Sequence, residues 1–567
     1  MVFGLLRKEI PSMHAAAFLV GAAGLLSRLL GLFRDRLLAA EFGASRTLDL
    51  YYASFQLPDF FFTLFLLGAA TPAILPVFIE LWEKDSEKAR EFIRGLVFFF
   101  SVFALFIGIV VVILAPYLVV LVAPGFDETL RGTMVTLVRI MMLSPIFLGV
   151  SNIFSSIVQA RRRFFLFSLT SIVYNLGIIL GILLFLPMFG VEGLAVGVVF
   201  GAFLHMAVQL PGIKDAFIPM HVSLPPLGSF VRVLTLSFPR VIASSLNQVV
   251  AVFLVAVGSF LSAGSITVFQ FANNLRYLPV GIFGISYAIA AFPKLTEAAL
   301  KKDSSSFYSD LYAMVESILF WVTPLAFLMV ILRAHIVRLI LGTGYFSWTD
   351  TRLTAAALAV LSVAVIAEGL SPLLLRAFYA IGNTRLPLAI TGLAALLTAG
   401  VAPFFVAFFS SGRASAELVA RLLKVGDIPD VGVLGLVAAF SLGAVIHVIG
   451  LWIALLSQMN SYFGATFKNG IVLAIARIAT SSFFAACLGY GALYLVSFFI
   501  SLDTFWGVFA QAFIAFSASA IFYGASMYAM GSEEMRSMID AFRSRLWKRP
   551  PAVLPQELDD VTKQPLR

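Results

Sequence analysis

The chain has 567 residues, of which 60% are hydrophobic and 12% charged, with a net charge of +9 and a mean hydropathy of +0.99. Soluble domains carry roughly 25% charged residues, and a water-facing core stops growing at about 250–300 residues. These values exclude a water-soluble fold and make the bilayer the solvent for most of the chain. The apolar runs are too long, and alternate too little, for a membrane β-barrel. In lipid they must be helices, because every backbone polar group has to be satisfied internally.

Apolar runs predict helices over 13–41, 47–81, 91–122, 131–159, 164–188, 190–213, 229–260, 264–296, 307–332, 350–380, 384–410, 432–458, 467–500 and 503–530. The expected fold class is an all-α polytopic membrane protein with about fourteen spans. The first segment runs into Arg28 with no cleavage motif, so it reads as a retained span. With the N-terminus inside, inner loops and the tail gather more than twice the lysines and arginines of the outer loops. The positive-inside rule then places both termini in the cytoplasm. Residues 417–424 and 534–547 read as short amphipathic surface helices, and the rest of the tail as disordered.

A weak internal repeat supports two lobes. Asp49 to Pro58 and Phe269 to Pro279 both end in Leu-Pro, and each leads through a Gly/Ala-rich stretch to Pro76–Glu80 or Pro293–Glu297. The motifs recur at a spacing of about 220 residues, enough for six helices. The expected division is an N-lobe over 1–213, a cytoplasmic linker over 214–228, a C-lobe over 229–458, two further helices within 459–530, and a cytoplasmic tail over 531–567. Substrate is expected between the lobes.

One cysteine, Cys487, leaves no disulfide or Cys-based metal site, and the five histidines show no metal-ligand spacing. No phosphate loop, dinucleotide fingerprint or nucleophile elbow is present. No enzyme, metal or organic cofactor is therefore expected, and the energy source would be the membrane potential or an ion gradient. Charged residues inside spans are costly and mark interiors. Arg28 and Arg34 lie in the first helix, Asp49 opens the second, and Arg240 and Arg276 lie in the seventh and eighth. Arginine suits phosphate because its planar fork donates two hydrogen bonds and stays charged. Arg28, Arg240 and Arg276 are expected around one anion site. The alternative pairs each arginine with a carboxylate such as Asp49, Asp59, Glu316 or Glu368. Pro58, Pro239 and Pro279 interrupt apolar runs and are candidate hinges.

Ser27-Arg28-Leu-Leu-Gly31-Leu-Phe-Arg34-Asp35, Phe42-Gly43-Ala44, Asp49, Leu57-Pro58 and Gly68-Ala69 resemble the opening of the MurJ/MviN lipid II flippase family, as do Ala123 to Phe126, Ala272 to Pro279 and Ala291 to Pro293. The resemblance extends to residue 530. It implies a fold like the MOP exporters, two six-helix lobes with the last two helices forming a lipid-tail groove. It also implies export of undecaprenyl-pyrophosphate-linked peptidoglycan precursor across the inner membrane without ATP. Partners would be the lipid-linked substrate, membrane lipids and cell-wall synthesis proteins, with no nucleic acid. By motif position Ser27, Arg28, Arg34 and Asp49 match family functional residues, and Asn274 falls at a family cation position. The chain departs from the pattern at Phe62, Leu67, Asn273 and Asn274, where family members often carry charges. Arg240 and Arg276 read as relocated cations. A related polysaccharide-lipid flippase, an ion-coupled multidrug exporter and a non-transporting scaffold are the alternatives. A drug exporter would want carboxylates in the cavity, whereas this chain places arginines in its helices.

Overall fold

The computed structural model describes residues 13–63, 71–214, 227–464 and 471–546, with the side chains of 13–18, 71–72, 236–240, 243–244, 471 and 541–546 outside that description. The described residues form helices and connecting turns, without strands. Among the described residues, eleven helices are long and apolar enough to cross a membrane. Their outward faces stay apolar and open: Ile113, Leu121, Leu396 and Phe404 are 65–73% exposed. In water such surface would drive association, whereas hydrocarbon solvates it. The molecule is a multi-pass membrane protein.

Most sequence-derived helices recur with ends shifted by a few residues, but those expected over 47–81, 131–159 and 190–213 are each broken into shorter helices. In the N-terminal half, α1 spans Met13–Phe42 and is followed by α2 (Arg46–Ser54), α3 (Gln56–Phe61) and α4 (Thr71–Lys84). Then come α5 (Ser86–Val122), α6 (Glu128–Met141), α7 (Ser144–Ala160), α8 (Phe164–Leu180), a π-helical turn and α9 (Leu186–Phe189), α10 (Glu192–Ala207) and α11 (Leu210–Ile213). The C-terminal half begins with α12 (Leu227–Gly258) and α13 (Ser265–Pro279), and a π-helical turn at Val280–Gly284 leads into α14 (Ile285–Leu300). It continues through α15 (Ser304–Ile331), α16 (Arg333–Leu341), α17 (Trp348–Ala380), α18 (Arg385–Phe409), α19 (Ala414–Leu422), α20 (Val433–Phe463), α21 (Ile471–Val496), α22 (Phe505–Ala529) and α23 (Glu533–Leu546). Loop chemistry sets many starts. Asp85, Asp127 and Asp303 each accept backbone N–H groups of the following turn, and Ser347 forms a capping box with Asp350.

Small residues govern packing in the N-terminal half. Gly177 and Gly181 on α8 and its π turn face Gly201 and Gly197 on α10, and a Cβ on Gly181 would lie 2.5 Å from the Gly197 Cα. Two four-residue glycine spacings thus bring the helix backbones together where apolar burial supplies no drive. In the C-terminal half, α17 packs on α13, α15 and α20, and α18 on α20 and α12. The pair α21–α22 joins this half through α15, where the Tyr523 hydroxyl donates to the Phe320 carbonyl at 2.7 Å.

Both Leu-Pro motifs sit at irregular backbone. α2 breaks at Phe55, and π geometry begins at Phe62 after Pro58. Pro279 is followed directly by the π turn at Val280–Gly284. A proline lacks the N–H that would close the preceding turn, and π turns recur at functional sites. Pro239 and Arg240 fall within α12, but their side chains lie outside the described residues. So do Leu67, Gly68 and Ala69, most of the expected linker, and the tail beyond 546.

Candidate functional site

Two ends of the bundle can be distinguished by their loops. At the Asp127 end, the N- and C-terminal halves meet along a hydrogen-bonded seam. Asp49, fully buried at the start of α2, accepts from the Gly264 and Thr267 backbone N–H groups at 2.7 and 2.8 Å, and from the Thr267 hydroxyl at 2.9 Å. These donors lie at the N-terminus of α13, where orphan N–H groups and the helix dipole favour a carboxylate. Arg46 lies 3.6 Å from Asp49 and donates to the Leu261 carbonyl at 2.8 Å. Arg36 donates to the Leu339 carbonyl at 2.7 Å, Gly125 N to the Ser259 hydroxyl at 2.9 Å, and Tyr345 N to the Ala40 carbonyl at 2.9 Å. Gly264 has a φ of +89°, and a Cβ there would run into Ala44 of the other half. At the opposite, Asp85 end, Glu80 on α4 meets Arg232 on α12 at 2.7 Å.

Between the ends lies a cavity of about 320 Å³ walled by α1, α8 and α13. Ser27, Arg28, Arg34, Asp35, Asn175, Asn274 and Tyr277 line it. Arg34 is bound by Asp35 at 2.7 Å, and Asn274 donates to the other Asp35 oxygen at 2.8 Å. The buried Ser27 hydroxyl donates to the Ser171 carbonyl at 3.1 Å and accepts from Asn175 at 3.1 Å, which fixes α1 against α8. Arg28 differs from Arg34. Its Nη1 donates to the Tyr277 carbonyl at 3.3 Å, and its guanidinium lies 5.2 Å from the Tyr277 ring centroid. Among the described residues no carboxylate pairs with it. Gly281, in the π turn, makes room: a Cβ there would collide with the guanidinium. An unpaired, permanently charged fork in a cavity has the chemistry to hold an anion.

The structure separates two arginines that the sequence reading grouped. Arg276 does not reach the Arg28 cavity. Successive residues of an α-helix turn by about 100°, so Arg276 points away from Asn274 on α13. It lines a second cavity of about 340 Å³ inside the C-terminal half, where it forms an ion pair with Glu368 on α17. Asn273 accepts from the Arg276 Nε and Nη2 at 2.9 and 2.6 Å. The carboxylate-pairing alternative thus describes Arg276, while Arg28 fits the anion-site reading. Asp49 binds the α13 backbone rather than a cavity arginine. Asp35 and Asn175, which organise the first cavity, escaped the sequence reading. Asp35 was legible as the neighbour of Arg34, whereas Asn175 becomes visible only once α8 is packed on α1.

The model of the lipid II flippase MurJ family matches residues 38–510. This chain belongs to that family. A probable lipid II flippase MurJ of Thermotoga maritima is 30% identical over 362 residues, covering 64% of this chain and 73% of the relative. The Buchnera aphidicola (Schizaphis graminum) relative is 28% identical over 414 residues, covering 71% and 80%. Among solved structures, lipid II flippase MurJ in an inward closed conformation superposes with a TM-score of 0.70 at 23% identity, covering 90% of this chain and 99% of that one. An inward-facing MATE multidrug transporter of the MOP superfamily reaches 0.63 at 13% identity, covering 78% and 96%. The MurJ family and the MATE transporters thus share this helical architecture.

Proposed function

We propose that this chain is a transporter that carries lipid II, the undecaprenyl-pyrophosphate-linked peptidoglycan precursor, from the inner to the outer leaflet by alternating access. Family membership supports the substrate. The observation that carries the grip is the unpaired guanidinium of Arg28 in a cavity between the two halves. Its fork can take two pyrophosphate oxygens as the headgroup leaves water, and charge-assisted bonds of this kind are roughly twice as strong as neutral ones. Asp35 is engaged by Arg34 and Asn274, so the lining remains net cationic. This supports an anionic headgroup over a drug cation.

The remaining assignments follow from this reading. The N-lobe (1–213) and C-lobe (229–458) rock about the cavity, with irregular backbone at Pro58 and Pro279 as flexion points. The apolar groove among α15, α21, α22 and α23, lined by Trp321, Leu325, Phe516 and Tyr523, suits a polyprenyl tail. Both termini are cytoplasmic, so the Asp127 end is the outer end and the seam is the outer gate. Arg34 and Ser27 hold the cavity in shape around Arg28. The test is rescue of a strain depleted of its lipid II flippase. Wild type should restore growth and lipid II export, and Arg28→Ala at equal abundance should not. Rescue by Arg28→Ala would remove the grip.

A further inference from the structure

The second cavity lies apart from the substrate cavity, yet it shares a wall with it. Helix α13 presents Asn274 and Tyr277 to the Arg28 cavity, and Arg276 to the other. The N-terminus of the same helix receives Asp49 at the outer seam. Any event that changes how α13 is held against α17 therefore reaches both substrate grip and gate.

Beyond their packing, α13 and α17 are joined by the ion pair between Arg276 and Glu368. Arg276 has other support when Glu368 lets go: two hydrogen bonds to Asn273, and the Phe440 ring with its centroid 4.3 Å from the guanidinium. Among the described residues Glu368 has no second hydrogen-bonding partner, and about a quarter of its side chain is open to the cavity. The carboxylate is thus the labile member. Nor does the cavity suit a metal ion. Its one carboxylate already faces a guanidinium, and no group of three metal-ligating side chains occurs among the described residues. A proton needs no coordination shell; it neutralises Glu368 and dissolves the pair. Among the described residues, His447 on α20 is the other titratable group that lines this space beside the ion pair. The Thr391 hydroxyl donates to the Pro387 carbonyl at 2.8 Å, so in its contact with His447 Nε2, at 3.0 Å, the imidazole is the donor. That leaves His447 Nδ1 as acceptor. Asn247 on α12 and Thr391 and Thr398 on α18 complete the polar lining.

We infer that Glu368 is a proton-binding carboxylate whose protonation loosens α13 against α17 and thereby couples a proton gradient to the alternation of the two halves. Protonation carries one proton from the bulk phase through the cavity to a Glu368 carboxylate oxygen, and Arg276 keeps its charge, held by Asn273 and the Phe440 ring. The inference rests on the alternating-access part of the proposed function, not on the identity of the lipid.

The test uses the full chain in lipid nanodiscs, with Cys487→Ser and spin labels at 129 and 411 on opposite sides of the outer seam. Acidification should shift the wild-type distance distribution, and Glu368→Gln should hold the acid-state distribution at every pH. Infrared difference spectra over the same titration should show a protonated-carboxyl band that Glu368→Gln removes. In proteoliposomes, each pH unit of gradient should change the transbilayer ratio of fluorescent lipid II about tenfold for one proton per cycle, and Glu368→Gln should lose that response. A band and a distance shift that survive in Glu368→Gln but vanish in His447→Gln overturn the assignment, as does a wild type insensitive to pH. If the band and distance shift behave as expected but no lipid II moves, the proton site stands and the substrate reading falls. Should Glu368→Gln fail to insert, the double variant Arg276→Gln/Glu368→Gln removes both charges together and supplies the same comparison.

Discussion

Asp49→Asn isolates the seam at the Asp127 end, proposed above as the outer gate. The carboxylate accepts from three donors on α13 and sits 3.6 Å from Arg46, all with no solvent exposure of its own. Asparagine offers one acceptor oxygen. Turned toward Thr267 it keeps two bonds, but its amide then faces the Gly264 N–H, donor against donor. One hydrogen bond to a charged group disappears, worth about 1.5–3 kcal/mol. In the open state Gly264 N and residue 49 both meet water, so the loss falls on the closed state alone. A loss of about 2 kcal/mol shifts the closed-to-open ratio roughly 30-fold. Electron–electron resonance between labels at 129 and 411, with Cys487→Ser, should show a distribution moved to longer distance. Asp49→Ala, which removes every acceptor, should move it at least as far. An unchanged distribution at normal abundance would refute the gate assignment.

Four further outcomes are expected. Arg28→Lys keeps the charge but loses the fork, so lipid II export should fall well below wild type, with Arg28→Ala lower still and both proteins normally inserted; equal export by lysine would argue against bidentate recognition. Gly281→Ala should mimic Arg28→Ala in export at near-normal abundance, because the new Cβ displaces a flexible guanidinium rather than backbone; wild-type export would show that Arg28 needs no such space. Gly197→Val should instead destabilise the fold, by about 1–3 kcal/mol of overpacking against Gly181, seen as a lower midpoint in detergent melting, and an unchanged midpoint would contradict the close approach of α8 and α10. For topology, a cysteine at position 129 should react with an impermeant reagent added from outside, and one at position 86 should not.

The architecture was legible because membrane spans announce themselves by length and apolarity. Even the short surface helices over 417–424 and 534–547 emerge at Ala414–Leu422 and Glu533–Leu546. Arg333–Leu341 escaped because a nine-residue helix with two arginines reads as a loop in hydropathy. The site was legible only in part. Arg28 stands out as a lone charge in an apolar run. Where Arg276 points depends on the rotation of α13 about its axis, which its neighbours fix and composition does not. Asp49 invited pairing with an arginine, yet its main partners are backbone N–H groups, which every sequence contains and none advertises.

The seam at the Asp127 end also bears on how such proteins diverge. In nearly every bond across it, one side is main chain: carbonyls of Ala40, Leu261 and Leu339, and N–H groups of Gly125, Gly264 and Tyr345. Main chain does not change when a residue is replaced. One half can therefore drift in sequence while the other keeps its polar side chains, and few substitutions on one side call for a matching change opposite. Paired substitution between relatives should consequently be weak along this joint. The Glu80–Arg232 contact at the other end joins two side chains, and there a change in one should demand an answer in the other.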